Sequence, residues 1–125
     1  MKKIINTVNA PAAIGPYSQG IIIGDLVYTS GQLPINTQTK VMDIEIKSAT
    51  KQSLENCKAI LESAGTNLDN VIKTMVFVKD LKDFALVNEV YAEYFTKNFP
   101  ARSCVQVAKL PLDAMIEIEV IATLK

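Results

Sequence analysis

Arg102 is the residue in this sequence whose type and position most clearly suggest chemistry. It is the only arginine among thirteen basic residues, and it follows Pro100, which is expected to end the preceding helix. A planar guanidinium can donate two parallel hydrogen bonds to a carboxylate or phosphate, which the point charge of a lysine cannot do. The sequence therefore predicts a site for a small acid, with an ordinary surface or ion-pairing arginine as the alternative.

Glu117 and Cys104 are the two other side chains near Arg102 in the sequence that could take part in a reaction. Glu117 lies in an apolar strand pattern, on the face opposite Ile116 and Ile118. We expect it to face Arg102 across a wet cleft or to pair with another group, and the alternative is that it is simply solvated on an exposed strand face. Cys104 shares a face with Arg102 if the segment is extended, but no histidine is present to activate its thiol. A small core side chain is the plainer interpretation of this cysteine.

The composition argues against several classes of function. Thirteen acidic and thirteen basic residues give a formal net charge of zero, which is unfavourable for binding nucleic acid. Without histidine, the commonest general base and zinc ligand are missing. Cys57 and Cys104 lie far apart and are expected to be free thiols. Residues 1–5 begin like a signal peptide, but polar residues interrupt them, and no apolar run could span a bilayer. A cytoplasmic protein is expected.

The hydrophobic pattern predicts one α+β domain over residues 1–125, in the order β-β-β-α-β-α-β-β. Gly24-Asp25 indicates a hairpin, and Gly65 ends the first helix. Asp83 is expected to cap the second helix and Pro100 to terminate it. We expect a single-layer mixed sheet with both helices on one face, and apolar residues on the other face predict an oligomer. The predicted strands are 4–5, 17–23, 26–30, 71–79, 103–107 and 115–123, and the predicted helices are 43–64 and 84–98.

Four further residues are weaker candidates for a pocket. Tyr17 is either a packing residue at a strand edge or a pocket wall with a usable hydroxyl. Ser30 and Gly31 form either a turn or a loop whose free N–H groups face an anion. Asn88 is placed on the second helix, away from its aromatic stripe, where simple exposure is the default interpretation.

Taken together, several motifs resemble the RidA (YjgF) family of reactive intermediate deaminases, and the resemblance runs essentially end to end. The loop at 35–43 departs from the pattern, since it lacks a glycine that members often carry. The resemblance implies a chorismate-mutase-like fold and a homotrimer whose sheets face a central barrel, with active sites in clefts between subunits. The motifs are Gly15-Pro16-Tyr17-Ser18-Gln19, Tyr28-Thr29-Ser30-Gly31-Gln32, Leu54-Glu55-Asn56 with Ile60-Leu61, and Pro100-Ala101-Arg102-Ser103-Cys104 with Ile116-Glu117-Ile118.

The resemblance also implies a role for each candidate residue. Arg102 would grip the substrate carboxylate, and Glu117 would hold and polarise the attacking water. Backbone N–H groups around Gly31 and Cys104 would add donors. The remaining pocket residues would be Tyr17, Ser30 and Asn88, with Tyr17 contributed by a neighbouring subunit.

The implied reaction is hydrolysis of 2-imino or enamine acids, such as 2-aminoacrylate, to 2-oxo acids and ammonia. Such intermediates are released by pyridoxal-phosphate-dependent serine and threonine dehydratases, which would be the functional partners. An imine carbon is already electrophilic, so an arginine and a carboxylate base suffice without metal or cofactor.

Two other functions stay open at this point. A non-catalytic sensor that binds 2-oxo or amino acids in the same clefts would need nearly the same residues. RNA cleavage or translation inhibition has been attached to parts of the family, but zero net charge and the lack of histidine argue against it here.

Overall fold

The computed structural model describes residues 1–125 and contains one six-stranded sheet and two α-helices. The predicted order of these elements is confirmed. Three short 3-10 helices lie in the connections. The strands are β1 Lys3–Ile5, β2 Gly20–Ile23, β3 Leu26–Thr29, β4 Val71–Val78, β5 Ala101–Gln106 and β6 Ile116–Thr123, and the helices are α1 Ile46–Ser63 and α2 Phe84–Tyr94.

Neither helix has the combination of length and apolar character that a membrane crossing requires.

The sheet is mixed, as expected, and its strand order is β1-β2-β3-β6-β4-β5. Only β4 and β5 run parallel, because α2 carries the chain back across the sheet between them. All other neighbours are antiparallel. The last strand of the sequence therefore lies inside the sheet, between β3 and β4, whereas β5 lies at an edge.

Both helices lie on one face of the sheet, as predicted. The apolar stripe of α1, formed by Leu54, Cys57, Ile60 and Leu61, is fully buried and packs with β6 in the main core. Along β6 the residues alternate strictly between buried and partly exposed, which confirms the predicted division of its side chains between two faces. The core-facing set is Ile116, Ile118, Val120 and Ala122.

The opposite face of the sheet has no helix over it. Its side chains from β4 and β6 are all partly exposed and mix apolar with charged residues. An apolar sheet face left uncovered in one chain is a typical surface for contact with another subunit. The residues on this face are Lys73, Met75, Phe77, Met115, Glu117, Glu119 and Ile121.

Some predicted boundaries are wrong, and α2 differs most. It ends at Tyr94 instead of residue 98, because Phe95 turns to an extended conformation and buries its ring 4.6 Å from that of Tyr91. Pro100 lies beyond the end and does not terminate the helix. Asp83 makes no side-chain cap. A 3-10 turn runs directly into α2, and the Leu81 carbonyl in that turn accepts the N–H of Phe84, the first residue of the helix.

The strand predicted from residue 17 also starts later, at Gly20. The preceding residues form a loop held by the buried amide of Gln19, which donates to the carbonyls of Thr7, Ala10 and Pro11. These bonds use the side chain of Gln19 to order a segment that has no strand partner. Gly65 ends α1 as predicted, with a φ of +90° that favours glycine.

Candidate active site

Arg102 lies on the edge strand β5, and its register partner on β4 is the buried Thr74. The side chain therefore points to the helix-covered face, where its Nη1 donates to Asn88 Oδ1 at 2.8 Å. The guanidinium carbon is 4.7 Å from the ring centre of Tyr91 and 5.4 Å from that of Phe84. No carboxylate pairs with it, because the three ion pairs of the chain all involve lysines. The guanidinium is thus oriented but available to an external acid.

The sequence had indicated that Asn88 lies away from the aromatic residues of the second helix, but the structure places it among them. Phe84, Asn88 and Tyr91 occur at positions i, i+4 and i+7 of α2 and share one stripe of the helix. All three contact the guanidinium of Arg102. The two aromatic contacts were missed in the sequence, although this helical spacing could have revealed them.

Glu117 lies on the opposite, uncovered face of β6, where its register partner on β4 is Phe77. Its carboxylate forms no hydrogen bond or ion pair with the rest of the chain. Partial burial raises the pKa of this carboxyl above its ordinary value, and the like charge of Glu119 on the same face raises it further. The residue is therefore a half-buried carboxylate with free acceptor positions and increased basicity.

Gly31 makes room for this carboxylate. A Cβ added at Gly31 would lie 2.6 Å from Glu117 Oε1 and 2.7 Å from Cδ, closer than any ordinary contact allows. The two segments are joined next to this point, since the N–H of Gln32 donates to the carbonyl of Ile118. The N–H of Gly31 itself has no acceptor in the chain, as expected for a loop that presents a donor. A side chain at this position would force the carboxylate of Glu117 to move.

A cleft of about 350 Å³ opens beside Glu117 and Gly31. Tyr17 forms part of its wall and is 52% exposed, on the loop that Gln19 orders. Tyr17 also borders a neighbouring depression that contains Ser30. The hydroxyl of Ser30 donates to the carbonyl of Ser18, so its proton is already used within the chain. The apolar wall of the cleft consists of Pro11, Ala12, Ile14, Leu33, Ile35, Pro111 and Leu112.

Both cysteines are free thiols, as expected. Cys104 is partly buried, and this burial raises the pKa of its thiol, with Arg102 opposing the change. Cys57 is fully buried, and desolvation raises the pKa of its thiol to about 12. Neither environment favours a thiolate, so the chain supplies no activated cysteine nucleophile.

The structure divides the predicted site residues into two groups within one chain. Arg102 and Asn88 contact each other on the helix-covered face, where Cys104 lies two residues further along β5. Glu117 and Gly31 meet on the uncovered face, with Tyr17 beside them in the same cleft. The sequence had suggested an arginine facing a glutamate, but the sheet lies between them. One chain alone does not bring the two charges together.

A family model described as Endoribonuclease L-PSP matches residues 7–124 of the chain. Over 125 residues the chain is also 54% identical to a protein of Escherichia coli K12 named 2-iminobutanoate/2-iminopropanoate deaminase, with 98% of each covered. The chain belongs to the RidA (YjgF) family. The resemblance in its motifs is thereby confirmed.

Solved structures of the RidA family have the same fold. The YjgF gene product of E. coli superposes with a TM-score of 0.95 at 52% identity, covering 98% of this chain and 99% of that one. E. coli TdcF with bound serine superposes with a TM-score of 0.94 at 49% identity, covering 97% and 98%. The predicted α+β architecture is thus shared with other members of the RidA family.

Proposed function

We propose that this protein hydrolyses reactive 2-imino acids and their enamine tautomers, 2-aminoacrylate/2-iminopropanoate and 2-iminobutanoate, to 2-oxo acids and ammonia. The observation that carries the proposal is the unpaired guanidinium of Arg102, held by Asn88 in a chain 54% identical to a named deaminase of these compounds. An oriented guanidinium that forms no ion pair within the chain suits a ligand carboxylate. The serine bound to the TdcF relative has such a carboxylate.

In the proposed reaction, Arg102 binds the carboxylate and Glu117 accepts a proton from water. The water oxygen bonds to C2 of the protonated imine, and the electrons of the C=N bond move to nitrogen. Glu117 then returns its proton to the nitrogen of this tetrahedral adduct. The C–N bond breaks, ammonia leaves, and the remaining hydroxyl oxygen forms the carbonyl of the 2-oxo acid as its proton is released. The raised pKa of Glu117 favours such proton exchange near neutral pH.

The proposal requires two copies of the chain in each active site. Arg102, Asn88 and the backbone near Cys104 would come from one subunit. Glu117 and Gly31 would come from its neighbour, together with the tyrosine and serine of the N-terminal loops. A homotrimer of single-domain subunits, with the uncovered sheet faces inward, provides three such clefts by rotational symmetry. We place this trimer in the cytoplasm, acting on imines released by pyridoxal-phosphate-dependent serine and threonine dehydratases.

A coupled assay tests the proposed activity. A threonine dehydratase would generate 2-iminobutanoate in the presence of semicarbazide, which traps the free imine. We expect the protein to speed 2-oxobutanoate formation and reduce the semicarbazone. Arg102→Ala should abolish the effect, whereas Lys109→Ala removes an exposed cation in the following loop and should retain it. No competition with the trap by the wild type would contradict the proposal.

A non-catalytic sensor of small acids is the second candidate, because a relative of this fold binds serine. Calorimetry with 2-oxobutanoate separates the two functions. Tight binding without any acceleration of imine decay would favour the sensor. A ribonuclease is not proposed, since the chain has no histidine and no net positive charge.

A further inference from the structure

Arg102 rests against an aromatic ring that is itself fixed at its far end. The ring of Tyr91 is 4.7 Å from the guanidinium carbon, and the residue is buried at 8% exposure. Its hydroxyl lies 2.9 Å from Oγ1 of Thr74, which is completely buried. Thr74 is the residue paired with Arg102 in the β4–β5 register. The ring therefore spans from α2 to the strand position next to the arginine that it contacts.

Contacts of two kinds define the orientation of the guanidinium, a hydrogen bond to Asn88 and the aromatic rings of Tyr91 and, at the longer distance of 5.4 Å, Phe84. The face of Tyr91 limits the tilt of the guanidinium plane through a cation–π contact. The bond from Nη1 to Asn88 limits rotation within that plane. An arginine has five N–H donors, and Asn88 takes one of them. The directions of the remaining donors, which a carboxylate would need, follow from these contacts.

We propose that Tyr91 and Thr74 are positioning residues for the substrate carboxylate and act through Arg102. The inference rests on the proposed function, in which Arg102 binds that carboxylate. A long, flexible arginine loses rotamer entropy when it binds a ligand, and a fixed platform lowers this cost before the ligand arrives.

Tyr91 also has a structural contact, because its ring lies 4.6 Å from that of Phe95 in the core. A purely structural tyrosine would change the free energy of unfolding without changing affinity for an acid. A positioning tyrosine would weaken binding of substrate and transition state alike, so Kd and KM rise while the rate at saturating imine changes little. The two roles are therefore separable by measurement.

The test uses four variants of the full chain. Calorimetry would give the Kd for 2-oxobutanoate, and the dehydratase-coupled assay would give the rate at saturating imine. Tyr91→Leu removes the platform and should raise Kd about five- to tenfold, as expected for losing a partly desolvated cation–π contact, with the rate within about twofold. Tyr91→Phe keeps the ring, and its Kd should stay within about threefold of the wild-type value. Thr74→Val keeps the shape but loses the hydroxyl, and should raise Kd about two- to threefold.

Tyr94→Phe is the matched control. It removes a phenol hydroxyl from the same helix, one that donates to Glu55, and should leave Kd unchanged. If Tyr91→Leu folds and keeps the wild-type Kd, the inference is wrong. If that variant does not fold, an unchanged Kd in Thr74→Val overturns the inference instead.

The measurements distinguish this inference from the proposed function. A wild-type protein that binds 2-oxobutanoate but does not accelerate imine hydrolysis would contradict the proposed deaminase activity. The Kd values of the variants would still test the positioning role of Tyr91 and Thr74. A wild-type protein that does not bind 2-oxobutanoate would overturn the inference. If hydrolysis is accelerated but Kd is identical in all the folded variants, the proposed enzyme function is supported and the positioning role of Tyr91 and Thr74 is rejected.

Discussion

Arg102 and Glu117 project from opposite faces of the same sheet. Arg102 pairs with Thr74, which faces the helices, whereas Glu117 pairs with Phe77, which faces away from them. Side chains alternate between faces along β4, so these two partners, three residues apart, point in opposite directions. A site that uses both charges must therefore combine one face from each of two chains.

Hybrid oligomers test this shared site. Arg102→Ala and Glu117→Gln should each be inactive alone, because every cleft then lacks one charge. Co-expression of the two with different tags should restore activity, since every copy of the proposed trimer that contains both chains has one cleft of three with an intact arginine and an intact glutamate. The coupled imine assay on the doubly purified hybrid measures it. A hybrid as inactive as its parents would show that one chain supplies both residues.

Gly31→Ala should reduce the rate at least tenfold while the protein still folds. The new Cβ would lie 2.6 Å from Glu117 Oε1, so the carboxylate must move from its position, and small displacements of a catalytic group are costly. Gly24→Ala is the control: its added Cβ meets no atom within 4 Å, and only the φ of +56° disfavours a side chain there. It should cost about 1 kcal/mol in stability and leave the rate unchanged. Full activity in Gly31→Ala would argue against catalysis by Glu117.

The pH dependence of the rate should report the ionisation of Glu117. Burial, and then Glu119, raise the pKa of this carboxyl, and only the ionised form can accept a proton from water. The rate should therefore fall as the pH drops through this raised pKa. Glu119→Gln removes the like charge and should move the acidic limb to lower pH. An acidic limb at the same pH in wild type and Glu119→Gln would contradict the assigned coupling.

The same pKa has a consequence for stability with a defined sign. Because the pKa of Glu117 is higher in the folded state than its ordinary value of 4.5, ionised Glu117 opposes folding. This cost is absent below pH 4.5 and is fully present above the folded pKa. Glu117→Gln should thus be more stable than wild type at pH 7 and no more stable at pH 4. Denaturant unfolding at the two pH values measures the difference, and an equal gain at both would count against it.

Alkylation of the cysteines should be slow in the folded protein. The pKa of both thiols is raised by burial, to about 12 for Cys57, and only a thiolate reacts readily. Iodoacetamide at pH 7.5, followed by mass spectrometry, should show Cys57 unmodified until the protein is unfolded. Cys104, which is only partly buried, should react slowly but before Cys57. Rapid modification of Cys104 in the folded protein would contradict this expectation and indicate an activated thiol.

Local patterns in the sequence were enough to predict much of this fold. The alternation along residues 116–122 identified the core face of β6, and the apolar stripe of α1 ended at Gly65 as expected. These features depend on the period of a single element, which the sequence records directly. The motifs shared with the RidA family likewise lie in short segments, so they were visible without knowledge of the fold.

Other features depended on contacts between residues distant in the sequence. The end of α2 at Tyr94 follows from burial of Phe95, and the hydrogen bond between Asn88 and Arg102 joins residues of two different elements. No local propensity records either contact. Both were therefore decided by packing against other elements.

The sequence by itself determined which side chains share a face of each strand, and so placed Glu117 opposite Ile116 and Ile118. It did not determine how the faces of two separate strands relate, because that relation depends on their common register with β4. The tertiary structure placed Arg102 on the side of the helices and Glu117 on the other. A change of register by one residue reverses the face of every side chain in a strand. For this physical reason, only the folded sheet shows that the two charges are separated within one chain.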